Sequence, residues 1–470
     1  MKATGSFATC LLASVGRNSS GVAFPGQPNY AALVSPYNLD LLTTPAAIVF
    51  PQNAAQVAAA VKCAVNAGIK IQAKSGGHNY GNFGSSTGEL SVNLENLQDF
   101  SMDRTTWMAK FGPGNRLGQV TELMFNNGGR QAPHGETFDV GLGGHATVGG
   151  AGAASRQLGL LVDFVEEVEV VLANSSIVRA SKSENEDLFF AVRGAGSSVG
   201  IVTDFTIRTV PAPPVTVDYT YVWAKQNVSS QVKIFQSWQK LLAGGTLPRE
   251  MSYGLTVTAS SMVLSGVYFG SEDEFATLNL TSHFTTPPQV SETKVYTSFL
   301  EASKALDGAV SAAGIASPSH FYAKSLVFTQ KTQIPEATAQ RVFNYLANTK
   351  NGTDLYALNF DGLGGAVSDF SPSEAAYPHR DTLYFMFSFA RTSSNLTDTT
   401  IRFLDQLSEV LTSGNPKAYY GQYAGNVDPR ETNEKALAGY YGQNLDRLKH
   451  IKRAVDPNDV FHNQQSVPVS

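Results

Sequence analysis

Cysteine is nearly absent: Cys10 and Cys63 are the only two in 470 residues. Two residues so far apart cannot form a zinc site of the CxxC kind, and no metal is expected; a disulfide or a pair of buried thiols remains. Long apolar runs are missing as well, since no stretch of about 18 apolar residues exists that could cross a membrane. Charge of one sign is scarce: 34 Lys+Arg face 39 Asp+Glu, the net charge is −5, and no basic run could neutralise a row of phosphates. These absences exclude a membrane and nucleic acid as partners. With 42% hydrophobic and 16% charged residues the chain is not a disordered one either. What it has in excess is glycine, 42 residues, densest in three short segments, which suggests backbone packed closely against something bulky.

The length suits two or three large domains with substantial cores. The opening MKATGSFATCLLASVG has a lysine and a short apolar run, the outline of a signal peptide, but Thr9 and Cys10 interrupt the run and cleavage would remove Cys10. A short N-terminal helix pinned by a Cys10–Cys63 disulfide is the preferred reading, any true signal being missing from this chain. N-x-S/T sequons at Asn18, Asn174, Asn227, Asn279, Asn351 and Asn395 point to a secreted glycoprotein. Residues 46 to 75 read as strand, helix and strand, with Val57, Val61 and Val65 recurring every four residues between AAIVF and IKIQAK. Further on, LSVNLENL and WMAKFGPG read as strands, RLGQVTELMFNNGG as a helix and VEEVEVVLANSSIVRA as a hairpin. Three prolines in VPAPPV, at 210–215, can continue neither strand nor helix, so a boundary is placed there. From 216 to about 415, alternating runs such as VTVDYTYVW and LYFMFSFA are separated by helical segments, which suits an antiparallel sheet covered by helices on one side. A helix from Glu434 to Ala454 and the ending DPNDVFHNQQSVPVS follow.

The three glycine segments run from Ser75 to Gly81, from Gly141 to Gly152 and from Arg193 to Gly200. Such chain lets backbone N–H groups approach an anion or a flat ring without hindrance from Cβ. The third, RGAGSSVG, imitates a dinucleotide fingerprint, yet that motif needs a strand before it and a helix after it. Here the order is reversed, with a helical NEDLFFAVR before and an alternating IVTDFTIRTV after, so a nicotinamide-binding domain is excluded.

The motifs PAAIVFPQNAAQVAAAVKCA, AKSGGHNYG, PHGETFDVGLGGHATVGGAG, SENEDLFFAVRGAGSSVGIVTDF, YPHRDTLY and YYGQNLDRLKHIKRAVDPNDVF are found together from near residue 45 to the C-terminus. In these the chain resembles the berberine bridge enzyme-like FAD-linked oxidases of the p-cresol methylhydroxylase and vanillyl-alcohol oxidase superfamily, and within them the fungal glucooligosaccharide-oxidase-like branch. The resemblance implies an α+β fold of two domains. Residues 1–210 and the C-terminal segment 418–470 would form the FAD domain, and 211–417 a substrate domain whose antiparallel sheet is covered by helices. It also implies that His78 bonds covalently to the flavin. Ser75, Gly76, Gly77 and Asn79 would surround the cofactor, as would Gly143, Gly144, His145, Gly149, Gly196, Gly200, Ile201, Val202 and Asn463. His145 would donate a hydrogen bond where charge builds up on the flavin. A histidine taken alone is ordinarily structural, and His134, His283, His320, His450 and His462 are read so.

One departure stands out. Many members of this branch carry a cysteine in HGxCP that makes a second bond to the flavin, whereas here His134-Gly135-Glu136-Thr137-Phe138 places Thr137 there. Threonine is no thiolate nucleophile, so attachment through His78 only is expected. Val140 falls at a position tied to oxygen access. By resemblance Tyr423 is the proton acceptor, with Tyr420 the near alternative, and Asp361 is its hydrogen-bonded partner; Tyr80 joins the catalytic set. Ala151, Thr256, Ala357 and Asn359 stand where sugar-oxidising relatives carry an aromatic residue, a carboxylate, a tryptophan and a glutamine. The expected substrate is therefore a small, largely apolar hydroxylated or phenolic secondary metabolite, oxidised with O2 in a biosynthetic tailoring step. Its lining would be drawn alternately from Phe360, Tyr384, Phe385, Phe387 and Phe389. An oligosaccharide oxidase is the alternative, and a flavin-retaining cyclase without net redox chemistry the second. A monomer is expected.

Overall fold

The structure, a computed structural model, describes residues 5–312 and 317–469, so the first four residues of the expected N-terminal segment lie outside the description. The helix Gly5–Ser14 buries Phe7 and Leu11 against the helix Ala54–Ala67, and Cys10 is bonded to Cys63 between them. That bond closes a separation of 53 residues, worth about 4 kcal/mol in the loop-entropy account. Thiol titration of the denatured, unreduced protein should find essentially no free thiol; two per chain would contradict the bond.

The longer helix begins where the Asn53 side chain accepts the Gln56 N–H and ends where Gly68 turns left-handed. It joins the strands Ala47–Val49 and Ile71–Lys74, both of which pair in parallel with Leu90–Asn93 in a four-stranded sheet. A second, five-stranded antiparallel sheet has Ile201–Arg208 at its centre, between Met108–Phe111 and Val165–Val171. The helix Glu186–Ala195 precedes that central strand, the order that argued against a dinucleotide fingerprint. The expected single helix near the C-terminus is two, Asn433–Tyr441 and Leu445–Val455, because Gly442 takes a φ of 46° between them. These helices bury Leu437, Tyr440 and Leu448 in the same core as the five-stranded sheet.

Residues from 216 to 392 build one antiparallel sheet of seven strands, in the order Val290–Tyr296, Thr216–Ala224, Ser261–Tyr268, Tyr253–Val257, Leu355–Gly362, Thr382–Thr392 and His320–Thr329. The molecule is thus an α+β protein. One face of the large sheet is covered by the helices Val228–Ala243, Glu336–Asn348 and Asp398–Thr412, around Trp223, Trp238, Phe235 and Phe403. Strand alternation sends every second residue to the other face, and that face looks toward the glycine-rich loops. Two arginines tie the halves together. Arg156 donates to the carbonyls of Met251 and Leu363 at 2.8 and 2.5 Å, and Arg380 grips Asp163 through two bonds of 2.7 and 2.8 Å with both side chains buried. Removing either partner of such a buried pair leaves an uncompensated charge, a loss of roughly 3–5 kcal/mol.

Candidate active site

The glycine loops and the open face of the large sheet enclose a cavity of about 400 Å³. Its wall contains Ser75, Gly76, Gly77, His78, Asn79 and Tyr80 from the first loop, and Thr137, Val140, Gly144, His145 and Ala151 from the second region. Asp361, Tyr423 and Asn463 complete the sequence-derived set that the fold brings together there. The first loop is held by its own side chains: Asn79 Oδ1 accepts the N–H groups of Gly81 and Phe83, and Ser75 Oγ donates to the Pro113 carbonyl at 2.6 Å. A Cβ on Gly76 would collide with the Gly141 backbone and the Arg116 guanidinium, so only glycine lets the two loops meet.

The remaining sequence-derived positions do not line the cavity. Gly143 packs on Pro113 and Ser75, Gly196 on Thr147 and Gly200 on Val170, each lacking room for a side chain. Ile201 and Val202 are buried in the central strand, paired with Val171 and Val170. Gly149 lies just behind, where a Cβ would strike Tyr423 and Tyr377.

His78 lies in the wall with the Tyr37 ring 4.5 Å away, centroid to centroid. Burial, reinforced by the Arg116 charge, lowers its pKa to about 4, so the imidazole is neutral and its ring nitrogen keeps a lone pair. His145 is neutral too, pushed down to about 3 by burial and by His134. Its Nε2 accepts the Gly135 N–H at 2.9 Å. The expected hydrogen-bond donation must therefore come from Nδ1, because Nε2 is already occupied as an acceptor. His134 bonds to Thr121 and to the Gly135 carbonyl, in keeping with a structural role.

Tyr423 is positioned by the edge of the large sheet: its N–H donates to Ser325 Oγ at 3.1 Å, and the Val327 N–H donates to the Gly421 carbonyl at 2.8 Å. Its ring stacks on Phe385 at 5.1 Å. The Gly149 and Gly150 φ angles of 141° and 78° turn the Gly150 N–H onto Tyr423 Oη at 3.0 Å, and the Ala151 N–H faces the same oxygen. Burial raises this phenol's pKa, and the two amides pull it back. The expected hydrogen bond to Asp361 is absent: the two residues share the cavity, and Phe385, the cross-strand neighbour of Asp361, is the ring stacked on Tyr423. Asp361 has open surface, but it faces the cavity, and burial lifts its carboxyl to about 6. Tyr420 is no alternative, since its ring packs edge-on against Phe328 and its hydroxyl points to the Thr412 carbonyl.

Register sorts the aromatic residues of the sheet. Phe385 and Phe387 line the cavity, while Phe360 and Tyr384 face the helices, where Tyr384 Oη donates to Gln239. Phe389 packs with Phe321 and Tyr37 beside Tyr80. Thr256 and Asn359 bond to each other at 2.9 Å on neighbouring strands. Among the wall residues that the motifs do not single out are Tyr37 and Glu136. Tyr37 carries no motif around it; Glu136 stood in plain view beside Thr137 but is masked by the better-known position next to it.

The profile of a family described as "FAD binding domain" matches residues 45–181, and that of "Berberine and berberine like" matches residues 395–468. The FAD-linked oxidoreductase sorD of Penicillium rubens is 69% identical over 468 residues, covering 100% of this chain and 99% of its own. This chain belongs to the berberine bridge enzyme-like family. It is an FAD-dependent oxidoreductase. Among solved structures of the family, the xylooligosaccharide oxidase from Myceliophthora thermophila C1 in complex with xylobiose superimposes with a TM-score of 0.90 at 32% identity, covering 98% of this chain and 99% of that one. The glucooligosaccharide oxidase of Acremonium strictum, which carries a 6-S-cysteinyl, 8α-N1-histidyl FAD, gives 0.88 at 28% identity, with 98% and 99% covered. In the present berberine bridge enzyme-like chain both cysteines are used in the disulfide. Among the described residues no helix is long and apolar enough to cross a membrane.

Proposed function

We propose that this enzyme oxidises a small, largely apolar hydroxylated or phenolic secondary metabolite, passing the electrons to O2, with FAD attached through His78 alone. The observation that carries this reading is the wall beside Tyr423. It is built of Phe385, Phe387, Tyr80 and Ala151, with a phenol oxygen held by two backbone amides. The cavity suits FAD in its chemistry: close glycine backbones for the pyrophosphate, a neutral His78 for attachment, Thr137 in place of a thiol, and Asn463 in the wall. FAD, when bound, accepts the hydrogen and electron pair removed from substrate carbon.

The protein's own part is to orient the hydroxyl and receive its proton. Tyr423 has its oxygen fixed by Gly150 and Ala151, the arrangement that stabilises negative charge on an oxygen. At neutral pH it is protonated, so it can accept a proton only while giving up its own, and Asp361, ionised above about 6, is the acid–base group that shares the cavity. Domain division at about 210 and 417 places the cofactor loops on one side and the substrate face on the other.

An oligosaccharide substrate is the second reading, favoured by the TM-score of 0.90 to an oxidase solved with xylobiose. Against it, Thr256 and Asn359 spend polar groups on each other, and a site built to bind hydroxyls discriminates only while its polar partners are free. Peroxide release should be measured with cello-, xylo- and chito-oligosaccharides beside phenolic and polyketide-like alcohols. Turnover is expected only with the second group; efficient oxidation of any sugar at millimolar concentration or below would promote the carbohydrate oxidase.

A further inference from the structure

Tyr37 stands outside every glycine-rich segment, yet its ring lies against the His78 imidazole, with centroids 4.5 Å apart and planes inclined by 32°. Among the described residues no hydrogen bond reaches that imidazole, so its orientation is set by the ring beside it. The backbone carrying Tyr37 is stitched to the chain that follows His78. Asn82, buried and in left-handed backbone with a φ of 53°, accepts the N–H groups of Tyr37 and Asn38 on Oδ1 at 3.0 and 3.2 Å. Its Nδ2 donates to the carbonyls of Asn38 and Leu41, and Asn38 Nδ2 donates to the Tyr80 carbonyl at 3.0 Å. On the other side the Ser319 N–H donates to the Tyr37 carbonyl at 3.1 Å, just before the strand His320–Thr329.

The ring is wedged as firmly as the backbone. Tyr80 lies parallel to it at 6.1 Å with 6° between the planes, Phe321 meets its edge at 5.8 Å, and Tyr80 and Phe321 touch each other at 5.0 Å. Only 6% of Tyr37 is exposed. In so close a packing the ring cannot turn without displacing its neighbours, and it presents one fixed surface to His78.

We propose that Tyr37 is a positioning residue for covalent attachment of the cofactor, its ring holding the His78 imidazole in the orientation from which a ring nitrogen bonds the flavin 8α carbon. The inference rests on the reading that FAD is attached through His78. In the step one N–C bond forms while an imidazole N–H and a C–H of the flavin methyl group break. The two protons and two electrons so released are taken up by the flavin ring system and passed to O2, which leaves as peroxide. A nitrogen must be aimed at that carbon for the bond to form, and a misplacement of about 1 Å can cost about 10²-fold in rate. A tilted ring contact suits the task better than a hydrogen bond, because it fixes the plane of the imidazole and leaves both nitrogens unengaged.

The test reads attachment rather than turnover. Wild type, Tyr37→Leu and Tyr37→Phe are purified from riboflavin-limited cells, incubated with FAD and sampled over time, acid precipitation dividing the flavin between pellet and supernatant. Tyr37→Leu keeps apolar bulk without a flat face, so its covalent fraction should grow about 10-fold more slowly than that of wild type, while flavin bound without a covalent bond still travels with the protein before acid is added. Tyr37→Phe should restore the wild-type rate, since the ring and not the hydroxyl meets His78. Attachment at the wild-type rate in Tyr37→Leu, or an equal loss in Tyr37→Phe, would overturn the proposal. So would a Tyr37→Leu protein that holds no flavin at all, which would make Tyr37 a packing residue only. Colour that stays in the pellet of His78→Ala would instead defeat the attachment reading beneath it.

Discussion

Tyr423→Phe should slow flavin reduction by about 10²-fold or more while leaving the cofactor in place. The substitution removes one oxygen and keeps the ring that stacks on Phe385, so packing changes little. What is lost is the hydroxyl that the amides of Gly150 and Ala151 hold in the cavity, and with it the proposed acceptor for the substrate proton. The effect belongs in kcat and in the single-turnover reduction rate rather than in binding, because proton transfer counts in the transition state. Stopped-flow reduction with an alcohol found in the peroxide screen provides the measurement. Tyr420→Phe should behave as wild type, since that hydroxyl points toward the Thr412 carbonyl. Reduction of Tyr423→Phe at the wild-type rate would remove Tyr423 from the mechanism.

His78→Ala should abolish covalent attachment outright: after acid precipitation the yellow colour should move from the pellet to the supernatant. The neutral imidazole in the wall, held at a pKa of about 4, keeps a nucleophilic nitrogen at every pH above that value. Attachment should therefore proceed without loss through the neutral range and fail only in strong acid. Thr137 has no thiol, and the two cysteine sulfurs of the chain are bonded to each other as Cys10–Cys63, so single attachment predicts a colourless pellet. A flavin peptide linked near residue 137, or colour persisting in the His78→Ala pellet, would refute single attachment.

Local order was legible from the chain because it depends on local causes. The period of four in the helix Ala54–Ala67, the alternation in Val165–Val171 and Ile177–Ser181 and the helix-before-strand order around RGAGSSVG each follow from residues that are neighbours in sequence. The expectation of a single flavin bond has an equally local origin, a count of cysteines and the sight of Thr137. The C-terminal break at Gly442 was missed because a periodic pattern on both sides hides one left-handed residue.

The chemistry-bearing contacts follow a different logic. Asp361, Phe385 and Tyr423 come from three separate stretches, and which face of the large sheet each presents depends on a pairing register between strands distant in sequence. A shift of one residue would have sent Phe360 and Tyr384 to the cavity and Phe385 to the helices. The partner of Tyr423 was likewise settled by folding: two glycines with positive φ bring backbone amides from 273 residues away in sequence to its oxygen, where a carboxylate had been expected. The proton affinity of Glu136 has the same origin, since burial and a carboxyl more than 200 positions downstream both raise it. Desolvation and long-range charge are properties of an enclosed space, and a linear chain encloses none.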